Sequence, residues 1–147
     1  MSFVKTYVAV IITKGDTAFI KKNGKPYLYL EGTEIAADDF TAQPKTKLIA
    51  ILKKIVGFQF SQEWLHWLGI STHQASDQER FAVIHYWLDI SMFDDYLIYF
   101  GEKFISVPLS ELANNTEINI LQSDRDAAKR LVSVREYIKK EEKQQCE

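Results

Sequence analysis

Apolar residues follow two rhythms along this chain, one suited to strands and one to helices. Residues 7–13 (YVAVIIT) are β-branched and almost continuously apolar, the pattern of a strand covered on both faces. Lys14, Gly15 and Asp16 interrupt the run and 17–21 (TAFIK) resumes it, which predicts a hairpin. Asn23-Gly24 is the strongest short turn signal, since both residues tolerate positive φ, and it predicts a third strand at 27–30 (YLYL). Residues 31–43 are polar and acidic and read as a loop. Pro44 then suits a first helical turn, Leu48, Ile51, Leu52 and Ile55 recur at helical spacing, and Gly57 is placed to end the helix.

The second half repeats the alternation. Residues 58–70, with Trp64 and Trp67, read as a strand, 71–79 (STHQASDQE) as a polar loop, and 80–90 (RFAVIHYWLDI) as the longest strand. Because that strand is apolar on both faces, it belongs in the middle of a sheet. Residues 96–100 and 104–107 predict an extended pair about Gly101, closed by Pro108, with a short turn at 110–112. Ser123 with Asp126 three positions on has the form of a capping box, and Ala127, Leu131, Val134 and Ile138 supply the buried stripe of a final helix. The tail 139–147 (KKEEKQQCE) has no stripe and is expected to fray.

Composition narrows the class. A chain of 147 residues, 46% hydrophobic and 26% charged, is expected to form one globular domain over 1–147, with no linker and no repeat. The formal net charge of -2 offers no basic field for duplex nucleic acid, whose binding rests on phosphate neutralisation. Cys146 is the only cysteine, so no intrachain disulfide forms, as suits a reducing compartment. The apolar run near the N-terminus is too short for a signal peptide, and no segment reaches the roughly 20 apolar residues of a membrane span. These features predict a cytoplasmic protein with no membrane partner.

The order of strands, acidic loop, helix, strands and closing helix resembles the Nudix superfamily. Residues 27–32 (YLYLEG) resemble the strand and glycine turn that open the Nudix box, with Gly32 as the box glycine. Leu52, Gly57 and Phe58 fit the positions that close it, and 104–112 (FISVPLSEL) with the helix from Asp124 resembles the family's closing elements. The resemblance implies an α/β fold, an α/β/α sandwich with a mixed sheet, and for most members hydrolysis of nucleoside diphosphates linked to another moiety. The family box reads G-x5-E-x7-R-E-U-x-E-E-x-G-U, where U is a bulky aliphatic. Anchored on Gly57, it puts Ala50 and Ile51 at the Arg-Glu pair, and Lys54 and Ile55 at the Glu-Glu pair that binds divalent metal. Anchored on Gly32, it puts Asp38 at the first glutamate, but Gly32 then lies four residues too far from Gly57. Lysine and isoleucine offer no hard oxygen to Mg²⁺.

Each candidate residue has a bland reading beside the functional one. Glu31, Glu34, Asp38 and Asp39 form either a solvated acidic loop or a substitute site for Mg²⁺ or Mn²⁺. Lys45, Lys47, Lys53 and Lys54 are either the exposed side of an amphipathic helix or a face toward an anionic ligand. His85 interrupts an apolar strand and is either hydrogen-bonded in the core or functional. Tyr29, Trp64, Trp67, Tyr86 and Trp87 either pack the core or provide a stacking surface, and the neighbours Tyr86 and Trp87 must point to opposite faces.

The function these residues imply is that of a catalytically degenerate Nudix homologue, a pseudoenzyme without a cofactor. It would bind a nucleotide-like small molecule or a protein partner, with Tyr29, Glu31, Lys54 and His85 as the ligand-binding residues. The alternative is a divergent hydrolase using Mg²⁺ or Mn²⁺ on other carboxylates, with Glu31, Glu34 and Asp38 as metal ligands. A barrel of the pleckstrin-homology type is a third reading, and the internal helix argues against it.

Overall fold

The computed structural model describes residues 3–22, 24, 27–35, 44–56, 60–74, 79–94 and 98–145. Its strands are β1 (Phe3–Lys14), β2 (Thr17–Lys21), β3 (Glu31–Ile35), β4 (Leu65–Gln74), β5 (Glu79–Asp89) and β6 (Phe104–Pro108). The helices are α1 (Pro44–Val56), α2 (Leu109–Asn114) and α3 (Gln122–Gln145), and a 3-10 turn at Gln62–Trp64 leads into β4.

β1 organises the sheet. Along one edge it pairs in parallel with β5, from Phe3 opposite Glu79 to Thr13 opposite Asp89. Its other edge is shared, antiparallel to β3 over residues 6–10 and to β2 over residues 12–14. β4 flanks β5 and β6 flanks β2, both antiparallel, so the six-stranded sheet is mixed and β5 lies inside it, as its two apolar faces predict.

Strand alternation sorts β1 into two cores. Val8, Val10 and Ile12 pack with Leu48, Leu52, Ile55 and Val56 of α1, together with Tyr86 and Leu88. Ala9 and Ile11 face the other way, against Leu109 and Leu112 of α2 and Ala127, Ala128 and Leu131 of α3. The result is an α/β/α sandwich with α1 on one face and α2 and α3 on the other. No helix among the described residues is long and apolar enough to cross a membrane.

Several elements differ from the sequence reading. The third strand falls on residues 31–35, which read as loop, while Leu28 and Tyr29 make only isolated bridges to Ile120 and Lys21. Gly32 therefore lies within a strand and not at a turn. β4 runs on to Gln74 through the predicted polar loop, bent by a bulge between Trp67 and Gly69. Gly69 has φ +136°, and the Arg130 guanidinium of α3 occupies the space a Cβ would need. β6 pairs with β2 rather than with residues 98–100, and the turn predicted at 110–112 is part of α2.

α3 also departs from expectation at both ends. Ser123 Oγ has no hydrogen-bond partner among the described residues, so no capping box is formed there, and Gln122 donates to Asp126 instead. Val134 and Ile138, expected in the buried stripe, are exposed because they lie beyond the core that holds Ala127 and Leu131. The helix continues to Gln145 where fraying was expected from Lys139. Lys, Glu and Gln are strong helix formers, and Glu136 precedes Lys140 at the favourable spacing. Gly57, Asn23, Phe58 and Cys146 lie outside the described residues.

Candidate functional site

A cavity of about 510 Å³ opens on the α3 side of the sheet. Its floor is apolar, with Ala9, Leu30 and Val83 buried, and half-buried Tyr7, Tyr27, Tyr29 and Phe81 stand around it. Gly32, Thr33 and Glu34 of β3 form one side, and Leu121 and Asp124 at the start of α3 another. The Tyr7 and Phe81 rings lie 5.7 Å apart and tilted, and those of Tyr27 and Tyr29 meet edge to face at 6.4 Å. An aromatic enclosure of this size, with two carboxylates on its wall, matches the dimensions and chemistry of small-molecule sites.

The sequence explains how these groups converge. β3 runs so close to β1 that a Cβ on Gly32 would collide with the Val8 carbonyl oxygen, so glycine is what allows the cavity's near wall to close. Asp124 is held from three directions. Its backbone N–H donates to Leu121, its carboxylate meets His85, and the next residue, Arg125, anchors the helix start. The buried Arg125 guanidinium donates to the carbonyls of Leu112, Asn115 and Ile118, binding the α2–α3 connection to α3.

The predicted site residues separate. Tyr29 lines the cavity, and Glu34 does too, exposed at its edge. Glu31 is buried beside the cavity, forming an ion pair with Lys21 at 3.3 Å and accepting from the Gly32 N–H. Lys21 Nζ also lies over the Tyr29 and Phe104 rings, at 5.7 and 5.8 Å. His85 is fully buried and reaches the cavity only through Asp124, with Nε2 2.9 Å from Oδ1. Lys54 does not join them. It is exposed on α1, which packs on the opposite face of the sheet, and with Lys53 it occupies the last helical turn, where cations complement the helix dipole. The aromatic residues divide similarly, since Tyr86 packs toward α1 and Trp87 donates its indole N–H to Thr13.

Sequence reasoning missed Tyr7, Tyr27, Phe81 and Asp124. The first three look like ordinary strand aromatics. Asp124 looks like any acidic residue in a first helical turn, and its partner is 39 positions away.

Solved structures with the same fold are numerous and distant in sequence. The Nudix hydrolase from Nitrosomonas europaea superposes with TM-score 0.62 at 10% identity, covering 89% of this chain and 90% of that one. The MutT protein from Methanosarcina mazei gives 0.63 at 11%, covering 91% and 96%. The C-terminal domain of mouse MUTYH, solved in complex with human PCNA, gives 0.67 at 9%, covering 89% of each chain. No family model and no curated protein matches the sequence. The fold is therefore Nudix-like.

The divalent metal that this fold implies does not suit α1. Its thirteen residues, PKTKLIAILKKIV, include no carboxylate, and Ile55 is buried in the core. Glu31 is committed to Lys21, and Asp38 lies outside the described residues. Among the described residues no group of three His, Cys, Asp or Glu is arranged to hold a metal.

Proposed function

We propose that this protein binds a nucleotide-like ligand in the cavity between β1, β3, Tyr27, Tyr29 and the start of α3, without metal-dependent hydrolysis. The observation that carries the reading is the cavity itself, in which four aromatic side chains surround an apolar floor and Asp124 offers one polar contact. A planar base stacks on such rings with little regard to its identity, while the carboxylate fixes its orientation. The absence of any carboxylate from α1 supports binding over hydrolysis, because nothing on that helix holds Mg²⁺ or Mn²⁺ against a diphosphate. Protein partners fall within the same proposal. The MUTYH domain with its PCNA partner is a neighbour in fold, and Trp67 and Ile70 are exposed at 56% and 53% on the outer strand β4.

Calorimetric titration of nucleoside diphosphates in EDTA tests the ligand reading, with heat of binding expected in the absence of metal. A parallel phosphate-release assay in Mg²⁺ and Mn²⁺ tests the alternative, a divergent hydrolase using carboxylates such as Glu34. Turnover that disappears on Glu34→Gln would establish the hydrolase and refute the proposal.

A further inference from the structure

Behind Asp124 lies an imidazole sealed from solvent. His85 is 0% exposed, its Nε2 is 2.9 Å from Asp124 Oδ1, and its Nδ1 has no hydrogen-bond partner among the described residues. Four proton arrangements suit that contact, two of them with a neutral ring that donates from Nε2. An imidazolium facing a carboxylate leaves a buried N–H at Nδ1 with nothing to accept it. So does a neutral Nδ1–H ring facing a protonated Asp124. A neutral ring whose Nε2–H donates to Asp124, ionised or protonated, leaves only a bare lone pair at Nδ1, and buried acceptors go unpaired more readily than buried N–H groups.

Between those two arrangements the surroundings favour the ionised carboxylate. Asp124 belongs to the first turn of α3, where the helix dipole stabilises negative charge, and it borders the cavity rather than the sealed core. Arg125, the adjacent cation, gives its guanidinium to three backbone carbonyls.

We propose that His85 is a positioning residue that holds Asp124 as an ionised acceptor in the cavity wall, so that the cavity selects ligands presenting an N–H donor at that point. The choice of ligand class rests on the nucleotide reading above, whereas the charge assignment stands apart from it. Sequence position hides this coupling, because His85 and Asp124 come from β5 and α3 and neither contains a recognisable motif.

Two measurements on the full chain test the proposal. Long-range ¹H–¹⁵N correlation of the imidazole rings near neutral pH is expected to show one histidine, absent from His85→Gln, with a protonated Nε2 and a bare Nδ1. An Nδ1–H tautomer or an imidazolium at His85 would overturn the assignment. The second measurement titrates guanosine diphosphate and inosine diphosphate, which differ by one exocyclic amine. Natural protein should prefer the amine-bearing nucleotide severalfold. His85→Gln, whose amide carries an N–H near the place of Nε2, should keep that preference, and His85→Leu should lose it. Asp124→Asn, with its amide oxygen still accepting from His85, turns an NH₂ toward the ligand and should reverse the preference. A preference that is the same in all four proteins would refute the positioning role. If neither nucleotide binds, the nucleotide reading and the selectivity fall together, and the ring-nitrogen measurement still decides whether His85 is a neutral donor to Asp124.

Discussion

Replacing Arg125 with alanine should cost this protein a large share of its stability. Arg125 is 7% exposed, and its guanidinium donates to Leu112 O at 3.2 Å, to Asn115 O at 2.8 Å and to Ile118 O. Hydrogen bonds to a charged group contribute about 1.5 to 3 kcal/mol each, and a buried acceptor left bare costs about 1 to 3 kcal/mol. The Leu112 bond is buried and counts in full, whereas water can replace the guanidinium at the two half-buried carbonyls. The expected loss for Arg125→Ala is therefore about 3 to 5 kcal/mol, against a total of about 5 to 15 kcal/mol for a typical domain. Arg125→Lys keeps the charge but not the planar fork, reaches fewer carbonyls, and should lose about half as much. Guanidinium unfolding followed by tryptophan fluorescence reads both as midpoint shifts. An Arg125→Ala loss under about 1 kcal/mol would refute the clamp, because no arrangement of three bonds to a buried cation is worth so little. So would a lysine variant as stable as the natural protein.

Other expectations follow from single contacts. Leu52→Ala should destabilise by about 2 to 5 kcal/mol, since Leu52 is fully buried between α1 and the sheet, whereas exposed Lys53→Ala should do little; equal midpoint shifts would place the buried face of α1 wrongly. Burial pushes the Tyr86 hydroxyl above its usual value near 10, so the folded state holds that proton more tightly than the unfolded chain. Its contribution is full below about pH 10 and is lost as the pH rises through the folded value, and Tyr86→Phe should flatten that alkaline loss in pH-dependent unfolding. Tyr29→Ala should weaken nucleotide binding by about 1 to 3 kcal/mol in calorimetry, the usual worth of one base–aromatic stack. An unchanged affinity would remove Tyr29 from the site.

The elements that the sequence announced are those whose side chains bear the packing. β1, β2, β5 and α1 bury continuous or periodic apolar surface, and Leu48, Leu52 and Ile55 of the helix from Pro44 are buried as their spacing required. β3 was illegible for the opposite reason. EGTEI is held in the sheet by backbone pairing to β1 and by a glycine that permits close approach, neither of which leaves an apolar rhythm. The stripe of α3 misled because periodicity continues past the edge of the core, leaving Val134 and Ile138 outside it.

The site was legible in pieces. Tyr29, expected as a ligand-binding residue, and Glu34, weighed as a metal ligand of the acidic loop, both line the cavity. Lys54 was chosen for its place in the box, yet its position on α1 is explained by solvent and by the helix dipole. His85 stood out as a polar residue in an apolar strand, but only the packing of α3 on the sheet brings it against Asp124. Contacts made across 39 positions, or between one face of a sheet and the first turn of a distant helix, have no local signature to read.

Amide chemical-shift mapping of a nucleoside diphosphate titration, recorded in EDTA, tests the central claim most directly. Saturable shifts are expected at Ala9, Leu30, Gly32, Thr33, Val83 and Asp124, with the amides of Lys53 and Lys54 unmoved. Shifts confined to α1, shifts that appear only when Mg²⁺ is restored, or no shifts at all would contradict it.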